Sequence, residues 1–317
     1  MSSSTNPFVI ILIGPTGVGK TAVSYELAKQ LPETAEIISA DSRQVYRYMD
    51  IGTAKPSLQM RQEIMHHFID VHNPDRVYSA GEFGKEAREE IEEILAMGNW
   101  PLVVGGSGLY LRALLEGFFA PKVSNHEIRA QLKRRVVTEG SSTLHAELTK
   151  IDPASAARLH PNDAHRIVRA LEIYYASGKL PSEVRMYPNE PAEFSYRLIG
   201  LNMPRADLYA RINQRVDKMF AEGLVDECKR LLKMSYSPEL NALKTVGYQE
   251  VFQYLRNEVS YDEMVALIKQ HSRNYAKRQM TWFRKMNGVE WFDIRPQDPP
   301  EKIATLLLLY LNISQAD

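Results

Sequence analysis

Chemistry concentrates first in one loop. Residues 14–21 read Gly14-Pro15-Thr16-Gly17-Val18-Gly19-Lys20-Thr21, satisfying G-x-x-x-x-G-K-[ST], and follow the apolar run FVIILI at 8–13. A strand that feeds such a loop and then a helix presents backbone N–H groups and a free helix N-terminus to an anion. Gly14, Gly17 and Gly19 let the chain curl closely round a phosphate, Lys20 adds a mobile positive charge, and the Thr21 hydroxyl is a candidate Mg²⁺ ligand. A chance glycine turn would not come with the strand and helix signals on either side. The loop therefore reads as a phosphate site, and whether that phosphate belongs to a nucleotide is a separate question. Asp41 directly follows a second apolar run, EIISA at 36–40. In a parallel α/β sheet the residue just past a strand's C-terminal end faces the ligand crevice. Asp41 there fits three roles: a metal or water ligand, a general base, or a cap for the next turn. Gly105-Gly106-Ser107-Gly108 follows a third run, WPLVV at 100–104, and puts the Ser107 hydroxyl at the same edge. Arg211 and Arg215 lie four residues apart, so both can reach one anion, though such a pair on a helix is more often ordinary surface.

These residues need a sheet to bring them together. The runs at 8–13, 36–40, 100–104 and 196–201 read as strands of a parallel α/β core, alternating with helical stretches at 21–30, 79–97 and 109–116. The glutamates of 79–97 mark a solvated face. Residues 50–77 are irregular, with a short strand expected around Ile69 and Val71. The neighbouring His66 and His67 have no third ligand at suitable spacing and read as structural or phosphate-contacting rather than metal-binding. Between 122 and 187 the composition turns helical, with Lys122, Arg129, Lys133, Arg134 and Arg135 close together and an HPND turn at 160–163 that starts a helix over 164–176. This reads as a helical insertion at 122–191 in a core formed by 1–121 and 192–317. After Pro204 a long helical stretch runs to Lys233, another helix starts at Lys244, and a basic, aromatic-studded helix occupies 262–286. Basic residues interleaved with aromatics suit RNA backbone and unstacked bases, and equally a core helix with a cationic outer face.

Composition sets limits. The 317 residues carry 39 Lys+Arg and 39 Asp+Glu, so no global positive field announces a nucleic acid, and any such site must come from local clustering. The single cysteine, Cys228, excludes an intramolecular disulfide and a cysteine-cluster metal site. MSSSTNP at 1–7 lacks the regions of a signal peptide, and LLLLYL at 306–311 is too short to span a membrane. A cytoplasmic protein with no membrane contact is expected.

The ensemble resembles a known family, the tRNA dimethylallyltransferases, also called tRNA isopentenyltransferases. The runs that carry the resemblance are GPTGVGKT at 14–21, SADSRQVYRYMDIGTAKP at 39–56, HHFIDVHNP at 66–74 and GGSGLYLRALLEG at 105–117. HPNDAHRIVRALE at 160–172, KTVGYQE at 244–250 and KRQMTWFRK at 277–285 complete it, in the family's order. The resemblance implies a P-loop-like α/β core whose loop holds the diphosphate of dimethylallyl diphosphate rather than ATP. It implies transfer of the prenyl group to the exocyclic amine of the adenosine 3′ of the anticodon, in tRNAs reading codons that begin with U. By the same resemblance Asp41 is the base, and Thr16 and Lys20 act on the diphosphate, clamped from the other side by Arg215 with Arg211. Thr21 and Mg²⁺ complete that side.

For the tRNA anticodon stem-loop, the resemblance implies Asp41, Ser42, Arg43 and Gln44 around the extruded base, where Gln44 suits an adenine edge. It further implies Ser107, where threonine is usual in the family, and Arg129. The remaining contacts it implies are Asp163, Ala164, His165, Arg166 and Ile167; Lys244, Thr245, Val246, Gly247, Tyr248 and Gln249; and Lys277, Arg278, Gln279, Trp282 and Arg284. Residues 288–317 contain no Cys or His, so the zinc finger of many eukaryotic relatives is not expected and a compact bacterial-type monomer is. Two other activities fit parts of the pattern. One is prenyl transfer to a free adenine nucleotide, which the HPND insertion and basic helix do not favour. The other is a P-loop kinase or NTPase, which the loop alone permits.

Overall fold

The computed structural model describes residues 7–117, 125–186 and 189–313; Lys122 and the expected junction at 121–122 lie outside them. The core is a parallel sheet of six strands: β1 (Val9–Ile13), β2 (Ala35–Ala40), β3 (His66–His67), β4 (Trp100–Gly105), β5 (Tyr196–Asn202) and β6 (Val289–Asp293). Their order is β3-β2-β4-β1-β5-β6, and every pairing is parallel. A strand buried on both faces must be apolar throughout rather than alternating. β1, Val-Ile-Ile-Leu-Ile, is fully buried along its length for that reason. Its side chains divide by the two-residue period of a strand. Val9, Ile11 and Ile13 join one core with Phe83, Leu111 and Phe283, whereas Ile10 and Leu12 join the other with Leu27 and Leu307. The sheet is thus a middle layer between helices.

The order also fixes where a ligand can sit. From β1 the chain crosses β4 to reach β2, while β5 pairs on the opposite side of β1. Such a reversal opens a crevice at the carboxyl ends of the strands, beside β1. The loops after β1, β2 and β4 all emerge there.

Three expectations need correction. The short strand is His66–His67 and not Ile69–Val71, because Phe68 and Asp70 adopt left-handed φ of 62° and 58° and break the extended run. The stretch after Pro204 is two helices, Arg205–Ala221 and Leu224–Lys233, separated at left-handed Gly223. The helix expected from Lys244 begins at Tyr248. β6 lies at the sheet edge and has no continuous apolar run; it packs where Gly200 leaves room for the Trp291 ring.

Alpha-carbon proximity divides the chain into two compact units, Met1–Leu115 with Ala192–Asp317, and Glu116–Pro191. The second has its own apolar core of Leu132, Leu144, Leu148, Ile167 and Leu171. Its helix Ala164–Ser177 starts at Asp163, whose carboxylate accepts from the Arg166 N–H.

Candidate active site

The loop after β1 passes into the helix Lys20–Gln30 through Gly17 and Gly19, both left-handed, at φ 84° and 109°. That helix has no side-chain cap and no acid in its first turn, so its leading N–H groups stay available to an anion. Lys20 is less mobile than expected: its ammonium donates to the carbonyls of Gly14 and Pro15 at 2.8 and 3.0 Å. Burial lowers its pKa to about 8, with the Asp41 carboxylate opposing that shift and the Arg215 cation adding to it. Arg215 is likewise pushed down by burial and held up by Asp41. Both cations are surrounded by protein yet keep part of their surface open to the crevice.

Arg215 donates to the Thr16 hydroxyl at 3.1 Å. Arg211, one turn earlier on the helix Arg205–Ala221, lies against Gly19: a Cβ there would stand 3.4 Å from its Nη2. Two arginines and a lysine therefore converge on one loop, and the surface alternative for the arginines falls away. The hydroxyl of Thr21, in the first turn, has no hydrogen-bond partner among the described residues.

At the end of β2, Asp41 Oδ1 accepts from the backbone N–H groups of Arg43 (2.8 Å) and Gln44 (3.4 Å), a local turn that fixes the carboxylate. Its second oxygen has no hydrogen-bond partner among the described residues. Asp41 is the anion that acts on Lys20 and Arg215, so the carboxylate and the cationic loop share one crevice. The loop after β4 closes the arrangement. Ser107 Oγ accepts from the Ser42 N–H at 3.0 Å, and the Ser107 N–H donates to Ala40 O. The Tyr275 hydroxyl is pushed up to about 12, mainly by burial and by the nearby Asp41 charge.

The residues expected at RNA divide by exposure. Lys277, Arg278, Trp282 and Arg284 project along one exposed side of the helix Tyr261–Phe283, with Arg278 stacked over the Tyr275 ring. Lys244 and Gln249 are exposed, Thr245 and Val246 are partly buried, and Arg43 reaches the Asn241 carbonyl. His165 and Arg166 are exposed, Asp163 and Ala164 less so, and Arg129 is paired with the fully buried Glu172. Four side chains point inward instead. Ile167 belongs to the second unit's core. Tyr248 is buried, with its hydroxyl on Glu227 at 2.6 Å. The Gln44 amide donates to Thr53 O and Ala54 O and accepts from Ser39 Oγ, which uses both of its protons and one of the two lone pairs of its oxygen in this conformation. Gln279 is 7% exposed and spends both ends of its amide on the protein: Oε1 accepts from the Thr16 N–H at 2.8 Å, and Nε2 donates to Gly106 O at 2.9 Å.

One contributor was missed. The Glu227 carboxylate, 1% exposed, accepts from the N–H groups of Asp50, Ile51 and Gly52 and from the Tyr248 hydroxyl. It clamps the turn whose next two carbonyls, Thr53 and Ala54, receive the Gln44 amide. The available signal was positional: Glu227 lies on the same helix stripe as Leu224, Cys228 and Leu231. His66 and His67 behave as structural residues. His66 Nδ1 meets Ile64 O, and His67 lies between Glu36 and Glu90.

The arrangement has an anion cradle lined by cations on one wall and a carboxylate with a free oxygen on the other. It can stabilise a departing polyanion while accepting a proton from a group brought to the same point.

Comparison with known proteins agrees on one identity. Residues 44–286 match the family described as IPP transferase. A tRNA dimethylallyltransferase of Symbiobacterium thermophilum is 47% identical over 287 residues, spanning 90% of this chain and 89% of that protein. One of Thermotoga maritima is 43% identical over 293 residues, spanning 92% and 94%. The crystal structure of the tRNA isopentenylpyrophosphate transferase from Bacillus halodurans superposes with a TM-score of 0.70 at 38% identity, covering 97% of each chain. A eukaryotic dimethylallyltransferase, captured in crystallographic snapshots acting on tRNA, gives 0.81 at 28% identity, covering 98% of this chain and 81% of that one.

Proposed function

The chain belongs to the IPP transferase family, a prenyltransferase of tRNA, and from that premise we propose how its residues carry the reaction. The donor is dimethylallyl diphosphate. The acceptor is the exocyclic amine of the adenosine 3′-adjacent to the anticodon, in tRNAs reading codons that begin with U. The products are N6-isopentenyladenosine and diphosphate. The observation that carries this reading is that the Asp41 carboxylate lies near enough to the Lys20 and Arg215 cations to oppose the shift that burial imposes on each.

As the allylic C–O bond breaks, its electron pair passes to the diphosphate oxygen and positive character develops on the prenyl carbon. The N–H groups of Gly17, Gly19, Lys20 and Thr21, with the side chains of Lys20, Thr16, Arg211 and Arg215, stabilise the departing anion. Preorganised donors of this kind are worth roughly 3–4 kcal/mol each to a developing charge. The adenine amine, whose lone pair is delocalised into the ring, forms the C–N bond as Asp41 accepts its proton on the free oxygen. A positioned base contributes roughly 10²–10⁴-fold.

The Thr21 hydroxyl, without a hydrogen-bond partner among the described residues, suits Mg²⁺, which takes few protein ligands and completes its shell with phosphate oxygens and water. Bound there, the ion would neutralise charge on the diphosphate.

The target adenosine is stacked in its loop and must be swung out, at a cost of a few kcal/mol. Ser42, Arg43 and the backbone of Gln44 line its entry. The exposed cations at Lys244, Lys277, Arg278 and Arg284 neutralise phosphates of the stem-loop. Arg129, Asp163, Ala164, His165 and Arg166 of the second unit are further contacts in this reading, whereas Ile167 serves that unit's core. The reading takes the protein as a monomer, and no helix among the described residues is long and apolar enough to cross a membrane.

The test is to incubate the protein with radiolabelled dimethylallyl diphosphate and, in parallel, unmodified tRNA, AMP, or ATP alone. Label on the adenosine next to the anticodon is expected. Label on AMP alone, or ATP turnover without prenyl transfer, would overturn the reading.

A further inference from the structure

Gln279 projects from the helix that carries Lys277, Arg278 and Trp282, but its own side chain turns into the protein. Its amide lies between the two loops that flank β1 and β4. The assignment of its ends is forced, because Thr16 N–H can only donate and Gly106 O can only accept. Gly106 has been fitted to it: a Cβ there would come within 2.3 Å of Gln279 Nε2, and its next contact beyond Gln279 is 3.7 Å away.

From this amide a series of contacts runs to both halves of the reaction. On one side Thr16 takes the Arg215 guanidinium on its hydroxyl. On the other, Gly106 leads to Ser107, whose hydroxyl holds the Ser42 N–H beside Asp41. We propose that Gln279 is a positioning residue, not an RNA contact, and that it sets the distance between the diphosphate loop and the base-bearing loop. The proposal rests on the roles given above to Thr16 and Asp41. Its consequence is kinetic, since reacting atoms must be held about 3–3.5 Å apart and misplacement by about 1 Å can cost 10²-fold.

The experiment is a double-mutant cycle read by single-turnover prenyl transfer at saturating tRNA and donor, with tRNA affinity and thermal midpoint measured on each protein. Gln279→Ala removes the tether, and Gly106→Ala pushes it aside while leaving the glutamine present. Each alone is expected to slow transfer by about 10–100-fold, with tRNA affinity within about twofold of the parent. In the double variant the shortened side chain leaves room for the new methyl. Its rate should then equal that of Gln279→Ala rather than show the product of the two losses. Should Gln279→Ala fail to fold, Gln279→Leu, which keeps most of the volume, takes its place in the cycle. Multiplicative losses, unchanged rates, or a loss of tRNA affinity equal to the loss of rate would each overturn the proposal. Absence of transfer by the parent protein would instead refute the functional reading beneath it.

Discussion

Asp41 is anchored through one oxygen, and the other has no hydrogen-bond partner among the described residues, which makes the two roles of its carboxylate separable. Asp41→Asn keeps an acceptor for the Arg43 and Gln44 N–H groups, so the turn should persist while proton acceptance is lost. Transfer is expected to fall by roughly 10²–10⁴-fold with tRNA affinity within about twofold. Filter binding and single-turnover rates decide it, and a parallel fall in both would show Asp41 to be a tRNA ligand first. Lys20→Met should differ in kind. It removes a cation from the leaving group, so donor KM should rise and kcat should drop by roughly 10²–10³-fold, leaving tRNA affinity intact. A variant with ordinary donor KM would place the diphosphate elsewhere. The placement of Asp41, Thr16 and Lys20 just past strand ends was legible, because their spacing from the apolar runs is itself the signal. The protein contacts of Gln44 and Gln279 were not legible for one reason: an amide looks the same in a sequence whether it faces a base or a neighbouring loop. Only the position of Gln279 on the Ala276–Phe283 stripe hinted that it turned inward.

Strands that are apolar from end to end were legible as elements, since nothing else explains VIILI or WPLVV between helical periodicities. β3 and β6 were not, because two residues beside a left-handed kink and a mixed VEWFD carry too little pattern. The turn after Met49 was also invisible, because what shapes it is a carboxylate about 175 positions away, on the helix Leu224–Lys233. That turn supplies a test at its own scale. In Glu227→Gln one end of the side chain becomes a donor, and it must face N–H groups or a hydroxyl that were already donating. Leaving a buried donor unsatisfied costs about 1–3 kcal/mol, so the urea midpoint should fall accordingly. Because the turn also seats Gln44, and Gln44 N–H helps hold Asp41, transfer should slow in urea-free buffer as well. A variant that is less stable yet transfers at the parental rate would detach the clamp from the site.

Across the whole chain the positive and negative residues balance at 39 each, so affinity for RNA must come from the local clustering of cations described above. Binding that neutralises phosphates weakens steeply with salt, and tRNA affinity should do so despite the neutral total. The composition shift near 122 announced a helical segment. It could not announce that the segment's core is held by two buried carboxylates, because Glu172 lies some forty residues from Arg129 and Asp152 thirty from Ser182. Burial alone would raise the Glu172 carboxyl, but hydrogen bonds from Arg129, Arg169 and the Asn125 N–H outweigh it and hold its pKa below the usual range. Asp152 is likewise depressed, burial being outweighed by hydrogen bonds from Ser155 and Ser182. A carboxylate whose folded pKa lies below its unfolded value stabilises the fold above that unfolded value, about 4, and loses the contribution as pH falls through the folded one. The unit Glu116–Pro191 should therefore loosen in acid below about pH 4. Amide exchange at Leu144, Leu148 and Leu171, extrapolated to a common intrinsic rate, should show falling protection through that range. Glu172→Gln should start from lower protection at neutral pH and respond more weakly to acid, since one of the unit's depressed carboxylates is gone while Asp152, Glu139 and Glu147 remain. Equal acid slopes in the parent and the variant would mean that Glu172 does not carry the linkage.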